Sequence, residues 1–226
     1  MVAVLPMDVS TLVFLALQLG IFLIAISIHE AAHAYAAYRL GDDTAVRLGR
    51  LTINPVKHID PMMSIVVPVV LLLTLGFAFG GAKPVPVVPY NLREPRRDMM
   101  WIAWAGPASN VAQAILFSLL LVPILWLVKL GVLAGAAEWV VRLAMFGVLV
   151  NLILAGFNMI PVPPLDGSRI AKALLPERAA AFLDRIEPVG LIIILVLLAT
   201  GIVDVFLTPI QSLAHLMLLV PTYLVP

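Results

Sequence analysis

The run His29-Glu30-Ala31-Ala32-His33 sets two imidazoles four residues apart. In a helix, positions i and i+4 share a face, so His29 and His33 can grip one metal ion. Glu30, next to His29, can act as general base toward a water at that metal. Two histidines leave zinc short of ligands, because a catalytic site has three protein ligands and one open position. The chain has no cysteine, which excludes thiolate ligands, disulfides and a Cys nucleophile. The third ligand is therefore sought among His, Asp and Glu. His58, in a loop, and His215, alone in a late helix, read as structural. Asp166 is better placed. It follows Asn158 to Leu165, where prolines open a helix end and free backbone groups, and it precedes Gly167.

The surroundings of the motif decide what it means. Thr11 to Ile28 carries no charge, so the motif sits at the inner end of an apolar stretch. Ionisable residues inside a membrane are expensive and mark function by default. Of the 226 residues 62% are hydrophobic and 12% charged, against about 45–50% and about 25% in soluble domains. The balance is that of a polytopic membrane protein. A formal net charge of +1, with no basic cluster interleaved with aromatics, gives no reason to expect nucleic acid. Met1 to Ser10 has no Lys or Arg, so a secretory n-region is missing and the first apolar segment reads as a retained helix.

The elements that must position the motif follow from apolar runs and their breaks. The expected fold is an all-α polytopic membrane protein. It is a bundle of about five to six transmembrane helices, with short membrane-associated β segments and a re-entrant segment. It forms a single domain over 1–226, with a core at about 10–170 and a C-terminal helix pair at about 188–224. The first helix runs from about Ser10 to Arg39 and ends at Gly41-Asp42-Asp43. Val46 to Ile53 reads as a short strand, and Lys83 to Val88 as an extended segment set by its prolines. Met99 to Leu130 and Glu138 to Ile160 are long apolar helices. Ser168 to Glu187 reads as interfacial and amphipathic.

Charge supplies the topology. No Lys or Arg precedes the first helix. Eight lie between residues 39 and 97: Arg39, Arg47, Arg50, Lys57, Lys83, Arg93, Arg96 and Arg97. Four more lie in 161–187. The positive-inside rule places both stretches in the cytoplasm. Met62 to Phe79 is then expected to be re-entrant, or a hairpin returning to the same side, since a full crossing would strand positive charge outside. The same topology brings Asp166 to the membrane level of His29 and His33. From Arg39, His29 is about 15 Å along the helix, below the headgroups and short of the bilayer centre.

Three segments together resemble the site-2 protease family of intramembrane zinc metalloproteases. They are His29 to His33, Gly106-Pro107-Ala108-Ser109-Asn110, and Asn158 to Gly167. Many members have Gly where Ala32 stands, a departure that leaves the ligand positions intact. The resemblance implies that His29, His33 and Asp166 bind one Zn2+ per chain and that Glu30 is the catalytic base. It implies that Asn110 and Asn158 help hold substrate or order the site. Asn151, seven residues before Asn158 and on nearly the same face, ranks below them. PDZ and CBS domains found in many members do not fit here, so the chain resembles a compact core form.

The expected function is an intramembrane zinc endopeptidase that cleaves peptide bonds in or near transmembrane segments, in regulated intramembrane proteolysis. Its partners are a transmembrane protein substrate and the lipid bilayer. Its expected place is the plasma membrane, with the active site towards the cytoplasm. Oligomeric state, substrate and activating signal are not legible. A substrate helix must unwind to be cut, and an edge strand at Val46 to Ile53 or Lys83 to Val88 is expected to hold it by strand addition. The competing reading is a non-catalytic membrane protein that uses the metal for structure or transport. Glu30 disfavours it, because a structural site has no need of a base.

Overall fold

The computed structural model describes residues 8–75, 80–133 and 135–225. Four helices are long and apolar enough to cross a membrane: α1 (Val9–Leu40), α4 (Pro95–Lys129), α5 (Ala137–Asn158) and α9 (Val203–Leu224, apolar to Pro221). The shorter helices are α2 (Thr44–Arg47), α3 (Val67–Leu75), α6 (Asp166–Leu174), α7 (Glu177–Ile186) and α8 (Gly190–Ala199). Helix α4 is central and packs on α1, α5, α6 and α9. Ala114 of α4, Val148 and Leu152 of α5 and Ala214 of α9 form one buried cluster. Small residues let these helices approach closely, as membrane packing demands.

The expected five to six spans are corrected to four among the described residues. Helix α8 has ten residues, about 15 Å of helix, and half a bilayer core at most. Gly201, with φ of +73°, turns the chain into α9.

The expected β segments are also corrected, for there is no strand among the described residues. Val46 begins inside α2, and Gly49 at φ +65° ends that turn. Gly49 N donates to the Val46 carbonyl and Arg50 N to the Ala45 carbonyl, a Schellman closure that uses the groups a strand would need. The Lys83–Val88 stretch is extended but has no partner strand. Three of its polar groups are met by side chains: Arg50 donates to the carbonyls of Lys83 and Pro84, and Asp42 accepts from Val88 N; Lys83 N donates to the His58 carbonyl. Pro84 and Pro86 have no N–H to offer a ladder.

Asp42 ties these loops to the end of α1. It is fully buried and accepts from Thr44 Oγ1 at 2.5 Å, Thr44 N at 3.1 Å, Val88 N at 2.7 Å and Asn91 Nδ2 at 2.8 Å. Burial pushes its carboxyl up, but the four hydrogen bonds outweigh this and hold it below the usual carboxylate range. A lowered folded value means stability that is complete above the usual carboxylate range. It is lost as pH falls through the lowered value. Asp42→Ala leaves buried donors unmet, at a cost of about 1–3 kcal/mol. Thermal melts in detergent are expected to fall by several degrees, with the gap closing in acid; equal melts at neutral pH would remove this role.

The Met62 to Phe79 stretch is a return, as far as it is described; residues 76–79 lie outside the described residues. Asp60 Oδ1 caps its first, π-helical turn (Pro61–Val66) by accepting from Met62 N and Met63 N, both at 2.9 Å. By Gly80 the chain is back beside its start. Gly81 N donates to the Met63 carbonyl at 3.0 Å, and Ser64 Oγ to the Gly81 carbonyl at 2.7 Å. A Cβ on Gly80 would strike the Met63 carbonyl and Pro68. With both ends joined, the segment cannot be a single crossing.

Candidate metal centre

Three elements converge on one point. Helix α1 brings His29 and His33, one turn apart on a buried face. Their Nε2 atoms are 3.0 Å apart. Asp166 opens α6, and its Oδ2 lies 3.2 Å from each Nε2. It reaches the site because Ile160 to Leu165 turns sharply at the end of α5. Val162 N donates to the Ile160 carbonyl and Leu165 N to the Val162 carbonyl. Gly167 is needed here, since a Cβ would collide with the Met159 and Ile160 carbonyls. All three side chains are buried.

The hydrogen bonds of the rings fix what their Nε2 atoms can do. His29 Nδ1 is 2.5 Å from Asn110 Oδ1, and His33 Nδ1 is 2.7 Å from the Ile102 carbonyl. Both partners are acceptors, so each Nδ1 carries a proton, and in its neutral form each ring presents a lone pair at Nε2. Asp166 Oδ2 is buried and accepts no hydrogen bond. Two lone pairs and a carboxylate oxygen thus face one another with no donor between them. Such a set calls for a cation. Zinc ligands at about 2.0–2.1 Å in a tetrahedron stand about 3.3–3.4 Å apart. The observed 3.0–3.2 Å triangle fits zinc.

The positioning groups were less legible. Asn110 is fully buried on α4. Its amide donates to Asn151 Oδ1 at 2.9 Å, and Asn151 Nδ2 to the Gly147 carbonyl at 2.9 Å. A chain of hydrogen bonds therefore runs from α5 through α4 to His29. Such outer partners set the tautomer and orientation of a ligating His. Asn151, ranked low on sequence, is part of that chain. Asn158 is not brought into it. It is half-buried and donates back to the Leu154 carbonyl of its own helix at 3.0 Å. His58 is held apart in its loop, with Nε2 on the Thr52 carbonyl at 2.8 Å. Glu30 is partly exposed, on the helix position after His29.

Gly106, the first residue of the Gly106–Asn110 run, has a steric role. On α4 it lies against both rings; a Cβ there would meet His33 Nε2 and, at 2.6 Å, His29 Cε1. Only a bare backbone fits over the histidine pair.

Comparison with known proteins gives the family. The model of Peptidase family M50 matches residues 17–200. Putative zinc metalloprotease YwhC of Bacillus subtilis (strain 168) is 38% identical over 187 residues, which cover 83% of this chain and 82% of that protein. Putative zinc metalloprotease Rip2 of Mycolicibacterium smegmatis is 31% identical over 179 residues, 79% of this chain and 65% of that one. Putative zinc metalloprotease MJ0611 of Methanocaldococcus jannaschii is 44% identical over a shorter stretch of 71 residues, 31% of this chain and 32% of that protein. No solved structure gives a significant match.

Proposed function

The chain belongs to peptidase family M50, the site-2 protease family, and from that premise we propose that it is an intramembrane zinc endopeptidase. It hydrolyses peptide bonds in or near the transmembrane segments of other membrane proteins. One observation carries the reading: His29 Nε2, His33 Nε2 and Asp166 Oδ2 face one another, buried, with no donor between them. These three residues hold one zinc. When bound, zinc brings the pKa of water near neutrality and polarises a carbonyl. Glu30 takes the proton from the attacking water and passes it to the leaving amine. Asn110 keeps His29 in the ligating tautomer. Asn158, half-buried at the end of α5, is left to meet substrate. The eight basic residues between 39 and 97 support a cytoplasmic site in the plasma membrane. Loss of membrane anchors by such cleavage is the chemistry of regulated intramembrane proteolysis.

The test is metal content against cleavage. Purified protein is expected to hold one zinc per chain, to cut single-span membrane peptides, to lose cutting with a chelator and to regain it with added zinc. Full cleavage by the metal-free protein would sink the proposal.

A further inference from the structure

Asp166 is held differently from its two partners in the metal centre. His29 and His33 are aimed by hydrogen bonds at Nδ1. Asp166 Oδ2 is buried and accepts no hydrogen bond, so its aim depends on where the backbone around it is placed. We propose that α8, the ten-residue helix beyond the site, is the wall that places it, with Gly190 and Ile194 as positioning residues for the third metal ligand. The inference rests on the reading of Asp166 as a ligand and adds what keeps it there.

The chain closes on itself here. It leaves Pro163, passes through Asp166, α6 and α7, and returns at Gly190. Gly190, the first residue of α8, is buried. A Cβ on it would fall 2.1 Å from the Pro163 carbonyl oxygen and 2.7 Å from the carbonyl carbon. Backbone thus rests on backbone, with no side chain between them to yield. Four residues on, and so on the same face of the helix, Ile194 is 2% exposed. It forms a buried cluster with Ile160, Leu165 and Val203. Leu165 immediately precedes Asp166. The cluster holds its side chain, and its carbonyl accepts from Ser168 N at 3.0 Å and from Ser168 Oγ at 2.7 Å.

The closed loop is braced further out as well. Lys172 of α6 bridges Asp184 and Glu187, each at 2.7 Å, which ties α6 to the end of α7 just before α8. Close-packed interiors transmit a displacement rather than absorb it. A shift of α8 therefore reaches Asp166 through Pro163 and Leu165. The outward side of α8 has no such contacts, for Ile192 is 62% exposed and Val196 54%. A helix too short to cross the membrane thus has a task that needs no crossing. It presses one face on the ligand loop and turns the other away from it.

The experiment measures metal affinity and stability on the full chain in detergent, using zinc against a competing chelator and cobalt(II) as a visible probe of ligand geometry. Ile194→Ala, which opens a void behind Leu165, is expected to weaken zinc binding by roughly ten- to a hundredfold and to change the cobalt absorption bands. Gly190→Ala, which pushes on Pro163, is expected to do the same. Ile194→Val is expected to weaken binding roughly threefold, and it decides the matter where the larger changes prevent folding. Two controls separate positioning from packing. Ile192→Ala, on the outward side of α8, is expected to leave affinity, bands and melting temperature unchanged. Leu121→Ala, on α4 at 3% exposure, is expected to lower the melting temperature about as much as Ile194→Ala while keeping wild-type zinc affinity and cobalt bands. Wild-type affinity and bands in the folded Gly190 and Ile194 variants overturn the inference and leave Asp166 a ligand. Loss of zinc from Leu121→Ala overturns it too, since the site would then follow overall stability. A wild type that binds neither metal overturns the ligand reading itself.

Discussion

Glu30→Gln is expected to keep its zinc and to lose cleavage by a factor on the order of 10³ or more, because a positioned general base contributes about 10²–10⁴ and the same group also protonates the leaving amine. The substitution preserves size and one carbonyl oxygen but removes the basicity. Glu30 is not among the three groups that face one another in the site, so the zinc has no reason to leave. It also lies on α1 outside the buried set of Ala25, Ser27, His29, His33, Ala34 and Ala37, so folding has little stake in it. Single-turnover cleavage of a membrane peptide and metal analysis on the same sample separate the cases. Wild-type rates would remove Glu30 from the chemistry. Loss of zinc would make it a ligand and displace Asp166. Retained zinc with lost cleavage also sets this chain apart from a metal transporter, which has no use for a base.

How much of this could be seen in the residues depends on what kind of information each feature needs. His29 and His33 are legible because helical spacing alone puts them together. Asp166 is 133 residues beyond His33, yet charge counting gives an expected topology in which both lie at the same depth. The same counting anticipates that Gly81 comes back beside Met63 and Ser64. Strand readings failed where local pattern met tertiary demand. Val46 to Ile53 has the β-branched and aliphatic residues of a strand, but Gly49 closes a helical turn there, and the opposing Lys83–Val88 stretch is bound by the side chains of Arg50 and Asp42. Span counting failed because apolar composition does not measure length: α8 is apolar throughout but ten residues long. The outer groups of the site were illegible in a stricter sense. Asn151 and the Ile102 carbonyl matter only through their contacts, and no spacing rule predicts which carbonyl a histidine on another helix will meet.

Gly106 shows how far such contacts reach, and it carries the second large effect. Gly106→Ala is expected to empty the metal site. Its added Cβ would fall within 2.6 Å of His29 Cε1 and on His33 Nε2 itself, closer than carbon atoms pack. Neither ring can step aside. His29 is tied through Nδ1 to Asn110, and His33 to the Ile102 carbonyl. Moving either ring breaks a buried hydrogen bond and misdirects its lone pair. The remaining relief is for α4 to retreat from α1, which drags Asn110 and Ile102 away from the histidines they hold. Every route therefore costs the metal. Zinc content is expected to fall at least tenfold and cleavage with it, while circular dichroism stays that of the wild-type helices. Gly20→Ala is the control: on the same membrane-spanning α1, a Cβ there meets nothing within 4 Å, so zinc and cleavage are expected to be unchanged. Full zinc in Gly106→Ala would mean that α4 does not press on the histidine pair, and the assignment of Asn110 as the group that holds His29 would go with it.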